Sequence, residues 1–126
     1  MQYERFQEAE GLGEAHILTL DIYKVTAQFP REELYGLTSQ LRRCSASMGA
    51  NIAEGCGKDG NREFYRFLQI SSGSASELDY HLLLARDLNY LTDPDYQRMN
   101  NELVEFRRML TALVHKVGAE RTAANC

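Results

Sequence analysis

Apolar residues recur at steps of three and four along almost the whole chain, a rhythm that admits long amphipathic helices and little else. From about Gly13 to Phe29 it falls on Ala15, Leu18, Ile22, Val25 and Phe29, and Pro30 ends the run. After the acidic start "REE", a second stripe passes through Leu34, Leu37, Leu41, Cys44, Met48 and Ile52, with Gly55 and Gly57 as its stop. A third runs from Asn61 to about Asn89 along Phe64, Leu68, Ser71, Ala75, Leu78, Leu82 and Ala85. At 1.5 Å per residue it would extend roughly 40 Å. The fourth opens at "TDPD", where Thr92 or Asp93 can cap and Pro94 suits the first turn. It continues through Tyr96, Met99, Leu103, Phe106, Leu110, Leu113 and Val117.

No stretch alternates with period two over strand length, and connections of about two to seven residues should leave consecutive helices antiparallel. The expected fold is therefore all-α, an up-down antiparallel four-helix bundle. It forms a single domain over residues 1–126, with helices at about 13–29, 33–55, 61–89 and 94–117 and both termini frayed. No segment repeats or is low in complexity. The third helix carries a second stripe, Phe67, Ile70, Ser74, His81, Leu84 and Leu88, wider than one neighbouring helix would cover. Together with the small residues of "SSGSAS", this points to assembly of copies through helix faces.

No run approaches the roughly 20 apolar residues of a membrane-spanning helix. The N-terminus "MQYERFQEAE" is acidic where a signal peptide would be basic and then apolar, so the expected location is cytoplasmic, with no membrane partner. Cys44, Cys56 and Cys126 are odd in number and far apart, which excludes a disulfide framework and paired zinc-knuckle spacing. Free thiols are expected, with Cys44 buried. The net charge of −4 argues against broad coating of nucleic acid but allows a local basic patch.

The glycine-rich stretch "NIAEGCGKDGNREFYRFL" fails as a phosphate-binding loop, since that motif needs Gly at 52 and Ser or Thr at 59, where Ile52 and Asp59 stand. It reads as a helical hairpin turn. Glu77 and His81, four apart, can share a helix face, but one such pair is too little for a dinuclear bundle site, and His16 and His115 are isolated. The serines of "SSGSAS" lack a positioned base or an oxyanion pocket. No catalytic residue, metal or cofactor is expected, and the chain does not read as an enzyme.

Arg42, Arg43, Lys58, Arg62 and Arg66 cluster on the arms and turn of one hairpin, with Tyr65 among them and Glu54, Asp59 and Glu63 interspersed. They are either internal ion pairs or a patch for nucleic acid or a partner protein. Glu54, at the negative end of the second helix, should be compensated by Arg62 and Arg66 across the turn. Asn51 one turn earlier should lock the two helices. Asn51, Glu54 and Gly55 thus form a structural clasp.

The blocks "YGLTSQLRR", "NIAEG", "EFYRFL" and "GSASEL", in this order, strongly resemble the four-helix bundle family of 23S rRNA intervening-sequence proteins, over about residues 12 to 116. That resemblance implies a small bacterial cytoplasmic protein assembling as a ring-like homopentamer. Some members are encoded within insertions in 23S rRNA genes. A related branch, the accessory variability determinant of diversity-generating retroelements, binds nucleic acid and a reverse transcriptase through a basic surface. This chain, with a sequence pI near 5.4, departs from that strongly basic branch. It also has Cys56 where the family commonly has an aromatic residue, and Ser72 where a basic residue is frequent. Two functions are expected as alternatives. One is a noncatalytic scaffold or nucleic-acid-associated protein contacting RNA or DNA through the five basic residues. The other is a protein-interaction ring docking a partner protein on an acidic face that includes Glu4, Glu8, Glu10 and Glu14.

Overall fold

Four α-helices and no strand occur among the described residues of the structure, a computed structural model that describes residues 11–125 and the side chains of residues 11–119. The helices are α1 (Leu12–Thr26), α2 (Leu37–Cys56), α3 (Asn61–Asp87) and α4 (Asp93–Asn125), with a short 3-10 turn at Arg31–Glu33. No helix among the described residues is long and apolar enough to cross a membrane.

The periodic stripes become the core. Ala15, Leu18 and Ile22 of α1 meet Leu41, Cys44, Met48 and Ile52 of α2, Leu68, Ala75, Leu78 and Leu82 of α3, and Met99, Leu103, Phe106 and Leu110 of α4 in one buried cluster. Each large side chain withdrawn from water here contributes about 1.5–3 kcal/mol. Among the described elements α1 packs on α2 and α4, α3 packs on α2 and α4, and α1 does not touch α3.

Each seam pairs rising residue numbers on one helix with falling numbers on the next. Between α2 and α3, Gly55 lies against Phe64 and Phe67, Ser71 Oγ donates to the Met48 carbonyl at 2.8 Å, and Arg43 pairs with Glu77. Between α3 and α4, the Arg86 guanidinium covers the Tyr96 ring, and Arg107 donates to Asp79 and Ser76 at 3.2 and 2.9 Å. Between α1 and α2, Gly49 sits beside Leu12 and Ala15, while Thr19 Oγ1 donates to the Ser45 carbonyl at 3.0 Å. Between α1 and α4, Gly11 lies on Phe106 and Asp21 holds Arg98.

The helix ends are set by local chemistry. Thr92 Oγ1 accepts the Asp95 N–H at 3.2 Å and caps α4. α3 stops at Asp87, two residues before the sequence expectation. There Asn89 turns left-handed at φ 64° and the Tyr90 N–H reaches back to the Ala85 carbonyl at 2.9 Å. Larger differences lie at the end of α1, expected at Phe29 and found at Thr26, at the end of α4, expected near residue 117 and found at Asn125, and at the start of α2, expected near residue 33 and found at Leu37. Glu33 caps the helix from outside instead of opening it, for its Oε1 accepts the Leu37 N–H at 3.1 Å and its Oε2 accepts the Tyr90 hydroxyl at 2.9 Å. Leu34, read as the first core residue of that helix, is consequently exposed.

Candidate functional site

The α2–α3 hairpin carries all five basic residues singled out in the sequence, and the structure separates them. Arg42 is turned onto α1. Its Nε donates to Thr26 Oγ1 at 2.9 Å, its Nη2 donates to the Tyr23 carbonyl at 3.4 Å, and its guanidinium lies 4.8 Å from the Tyr23 ring centre. Arg43 is held between Gln40 Oε1, at 2.8 Å, and the Glu77 carboxylate of α3. Arg66 pairs with Glu63 one turn back at 3.3 Å and covers the Phe67 ring at 4.5 Å. Lys58 and Arg62 remain exposed at the turn, with Lys58 5.7 Å from the same ring.

The clasp is built differently from the sequence expectation. Asn51 does not bridge helices; its Nδ2 donates to the carbonyl and hydroxyl of Ser47 on its own helix, at 2.8 and 2.9 Å. The link to α3 is made by the Ser47 and Ser74 hydroxyls, 2.8 Å apart. Glu54 is exposed, and no ion pair joins it to Arg62 or Arg66 among the described residues, because Arg66 is already engaged by Glu63. Gly55 is not the helix stop, since α2 continues to Cys56. It is a contact point: an added Cβ would stand 2.8 Å from Phe64 Cδ1 and 2.9 Å from Phe67 Cβ. Gly60, at φ 81°, supplies the left-handed residue that reverses the chain into α3. Of the acidic residues named for a partner face, Glu4, Glu8 and Glu10 lie outside the described residues, as does Cys126, while Glu14 sits half-buried on α1.

Halfway along the same seam, the i,i+4 pair Glu77 and His81 of α3 faces Cys44 of α2, and one ligand atom from each lies within 4.8 Å of the others. His81 Nε2 meets Glu77 Oε2 at 3.2 Å, and His81 Nδ1 is buried with no hydrogen-bond partner. Burial, and then the Glu77 charge, pushes the Cys44 thiol up to about 12, so it is protonated at neutral pH and is no nucleophile. Sequence reading paired Glu77 with His81 but missed Cys44, whose only signal was its place on the inward stripe of the preceding helix.

A second polar cluster, unmarked by any motif, joins α1 to α4. Arg98 Nε and Nη2 each donate to Asp21 at 2.8 Å, and Nη1 donates to Asp95 at 2.8 Å. The Arg98 hydrogen bonds hold the Asp21 carboxyl below its ordinary range. Glu102, one turn further along α4, has Oε2 buried without a partner, and burial together with the Asp21 charge pushes its carboxyl up to about 7. The two carboxylates therefore titrate as a pair that gives up its last proton late, near pH 7. Because the folded state binds that proton more tightly than the unfolded chain, the stabilisation is full below the ordinary carboxylate range. It is lost as pH rises from about 4.5 to about 7. Glu102→Gln, which mimics the protonated acid, is expected to match the parent at pH 4 and to exceed it at pH 8 by about 1–2 kcal/mol, allowing for solvent screening. Urea unfolding at the two pH values checks this.

A protein of unknown function from the S23 ribosomal protein family of Bacteroides thetaiotaomicron, solved by crystallography, superposes with a TM-score of 0.74 at 24% identity, over 82% of this chain and 97% of that one. At that identity the likeness speaks for the fold. No curated protein matches the chain. The family model of 23S rRNA-intervening sequence proteins matches residues 7–112, which span the first three helices and most of the fourth, and the chain belongs to that family.

Proposed function

We propose that the chain is a noncatalytic, cytoplasmic up-down four-helix bundle whose copies join head to tail into a closed homo-oligomeric ring, a pentamer, acting as a scaffold. The observation that carries this reading is a pair of unlike apolar faces on helices that do not touch. α1 presents Ile17, Leu20 and Tyr23, 58, 57 and 46% exposed, and α3 presents Ile70, Tyr80 and Leu83, 41, 60 and 37% exposed. Gly73 lies within that α3 face, with open space where a Cβ would stand. Since α1 and α3 each pack on α2 and α4 but not on each other, their outward faces point in different directions. Two different patches that fit one another make a heterologous contact, and such contacts close into a ring when the rotation per step permits. The number five rests on the family resemblance, and the antiparallel topology is supported by the opposed residue order along every seam.

A second reading, contact with RNA or DNA, is favoured by Lys58 and Arg62, exposed together at one end of the hairpin and repeated in every copy. Against it, Arg42, Arg43 and Arg66 are engaged within the chain. Sedimentation of the purified protein, alone and with a short single-stranded RNA at two salt concentrations, separates the readings. The scaffold reading expects a multiple of the 14.4 kDa chain mass and no RNA binding at physiological salt. A monomer would overturn it. Salt-sensitive binding abolished by Lys58→Ala with Arg62→Ala would establish the nucleic-acid reading instead.

A further inference from the structure

The cluster at Cys44 has a composition that neither the assembly proposal nor the family match uses. Its three groups come from two facing helices, and each is positioned by packing. Cys44 is fully buried in the core stripe of α2, while Glu77 and His81 sit one turn apart on the facing side of α3. We propose that Cys44, Glu77 and His81 form a binding site for a zinc-class divalent cation on the α2–α3 seam.

Three features converge on that chemistry. The donor set is one sulfur, one imidazole nitrogen and one carboxylate oxygen, which suits zinc and its neighbours and disfavours the oxygen-seeking magnesium and calcium. The spacing is close to what such an ion needs. Bonds of about 2.0–2.3 Å in a tetrahedron place ligand atoms roughly 3.3–3.8 Å apart. Here one ligand atom from each of the three residues lies within 4.8 Å of the others, so modest side-chain rotation brings the set to that spacing. The third feature is a buried imidazole nitrogen, His81 Nδ1, without a partner, an arrangement in which most buried polar atoms are not left.

The surroundings fit as well. Arg43 already contacts Glu77 Oε2, and a carboxylate has a second oxygen, so the arginine can orient Glu77 from behind while the other oxygen faces the ion. The His81 side chain is 17% and Glu77 37% exposed, so one flank of the cluster opens to solvent, giving the ion an entry path and a water for its fourth position. On binding, the Cys44 S–H bond breaks, a metal–sulfur bond forms, and the proton leaves to solvent; no electron is transferred.

Cobalt(II) is the probe, because its tetrahedral complexes are coloured and a thiolate ligand adds a sulfur-to-cobalt charge-transfer band in the near ultraviolet. Reduced, chelator-stripped full-length protein is expected to take up one cobalt per chain, show that band, and lose it when zinc is added. Cys44→Ser should abolish the band and weaken cobalt binding by more than about 100-fold, since even residues that only orient ligands are worth about 10–100-fold. His81→Gln, at the partly exposed edge of the site, should weaken binding to the same degree with an unchanged helical spectrum, and it decides the matter should Cys44→Ser unfold. A chain carrying Cys56→Ala and Cys126→Ser should keep the band. Absence of cobalt uptake would overturn the proposal. So would a band that survives Cys44→Ser or disappears with Cys56 and Cys126, or binding unaffected by His81→Gln.

Discussion

Gly55→Leu is expected to lower the unfolding free energy by about 3 kcal/mol, a large part of the 5–15 kcal/mol typical of a domain. The reason lies where Gly55 of α2 meets Phe64 and Phe67 of α3. Even a bare Cβ at this position would sit 2.8 Å from Phe64 Cδ1 and 2.9 Å from Phe67 Cβ. The Phe64 ring can tilt by a few tenths of an ångström, but Phe67 Cβ is fixed to the backbone of α3, so the helices themselves must part. Gly55→Ala gains up to about 1 kcal/mol of helix propensity and loses about 1–3 kcal/mol to overpacking. Its expected net effect is a loss of about 1–2 kcal/mol. Gly13→Ala is the control, for a Cβ there meets nothing within 4 Å, and it should be neutral or slightly stabilising. Denaturant midpoints for the three variants check the ordering; an unchanged midpoint for Gly55→Leu would mean the seam is looser than described.

The assembly proposal makes the other large prediction. Ile17→Asp with Leu20→Asp on α1 should dissolve the ring, and so should Tyr80→Asp with Leu83→Asp on α3, because either pair buries unpaired carboxylates in the same contact from opposite sides. Losing two central apolar anchors costs at least about 4 kcal/mol of association, a weakening of roughly 1,000-fold or more. These side chains project from the outer faces, so each doubly substituted chain should keep its helical content and its thermal unfolding as a monomer. Sedimentation and circular dichroism together distinguish lost assembly from lost fold.

Most of the core was legible because a helix presents one face to its neighbours, so a spacing of three and four identifies that face before any neighbour is known. Every stripe residue from Phe64 to Ala85 is buried as expected, and so are Met99 through Val117. The start of α2 was not legible, since "REE" after a proline suits a helical first turn equally well. What moves the start to Leu37 is the Glu33 carboxylate reaching forward to the Leu37 N–H while it holds Tyr90 from a distant turn. Contacts between helices were the least legible. Arg42, Arg43 and Arg66 read as one patch because they are neighbours along a hairpin, yet they point to Thr26, Glu77 and Glu63. Spacing along α3 places Glu77 beside His81, but their meeting with Cys44 depends on the register of two helices.

The family membership accounts for the fold, while the outward faces of α1 and α3 bear the functional reading. The most direct measurement mixes the two interface-broken chains, one altered at Ile17 and Leu20 and the other at Tyr80 and Leu83, and determines the mass of the mixture. If the contact joins the α1 face of one copy to the α3 face of the next, each chain alone is monomeric, and the mixture forms a dimer of one chain of each kind through its single intact interface. A mixture that stays monomeric, or chains that each assemble alone as the parent does, would contradict it.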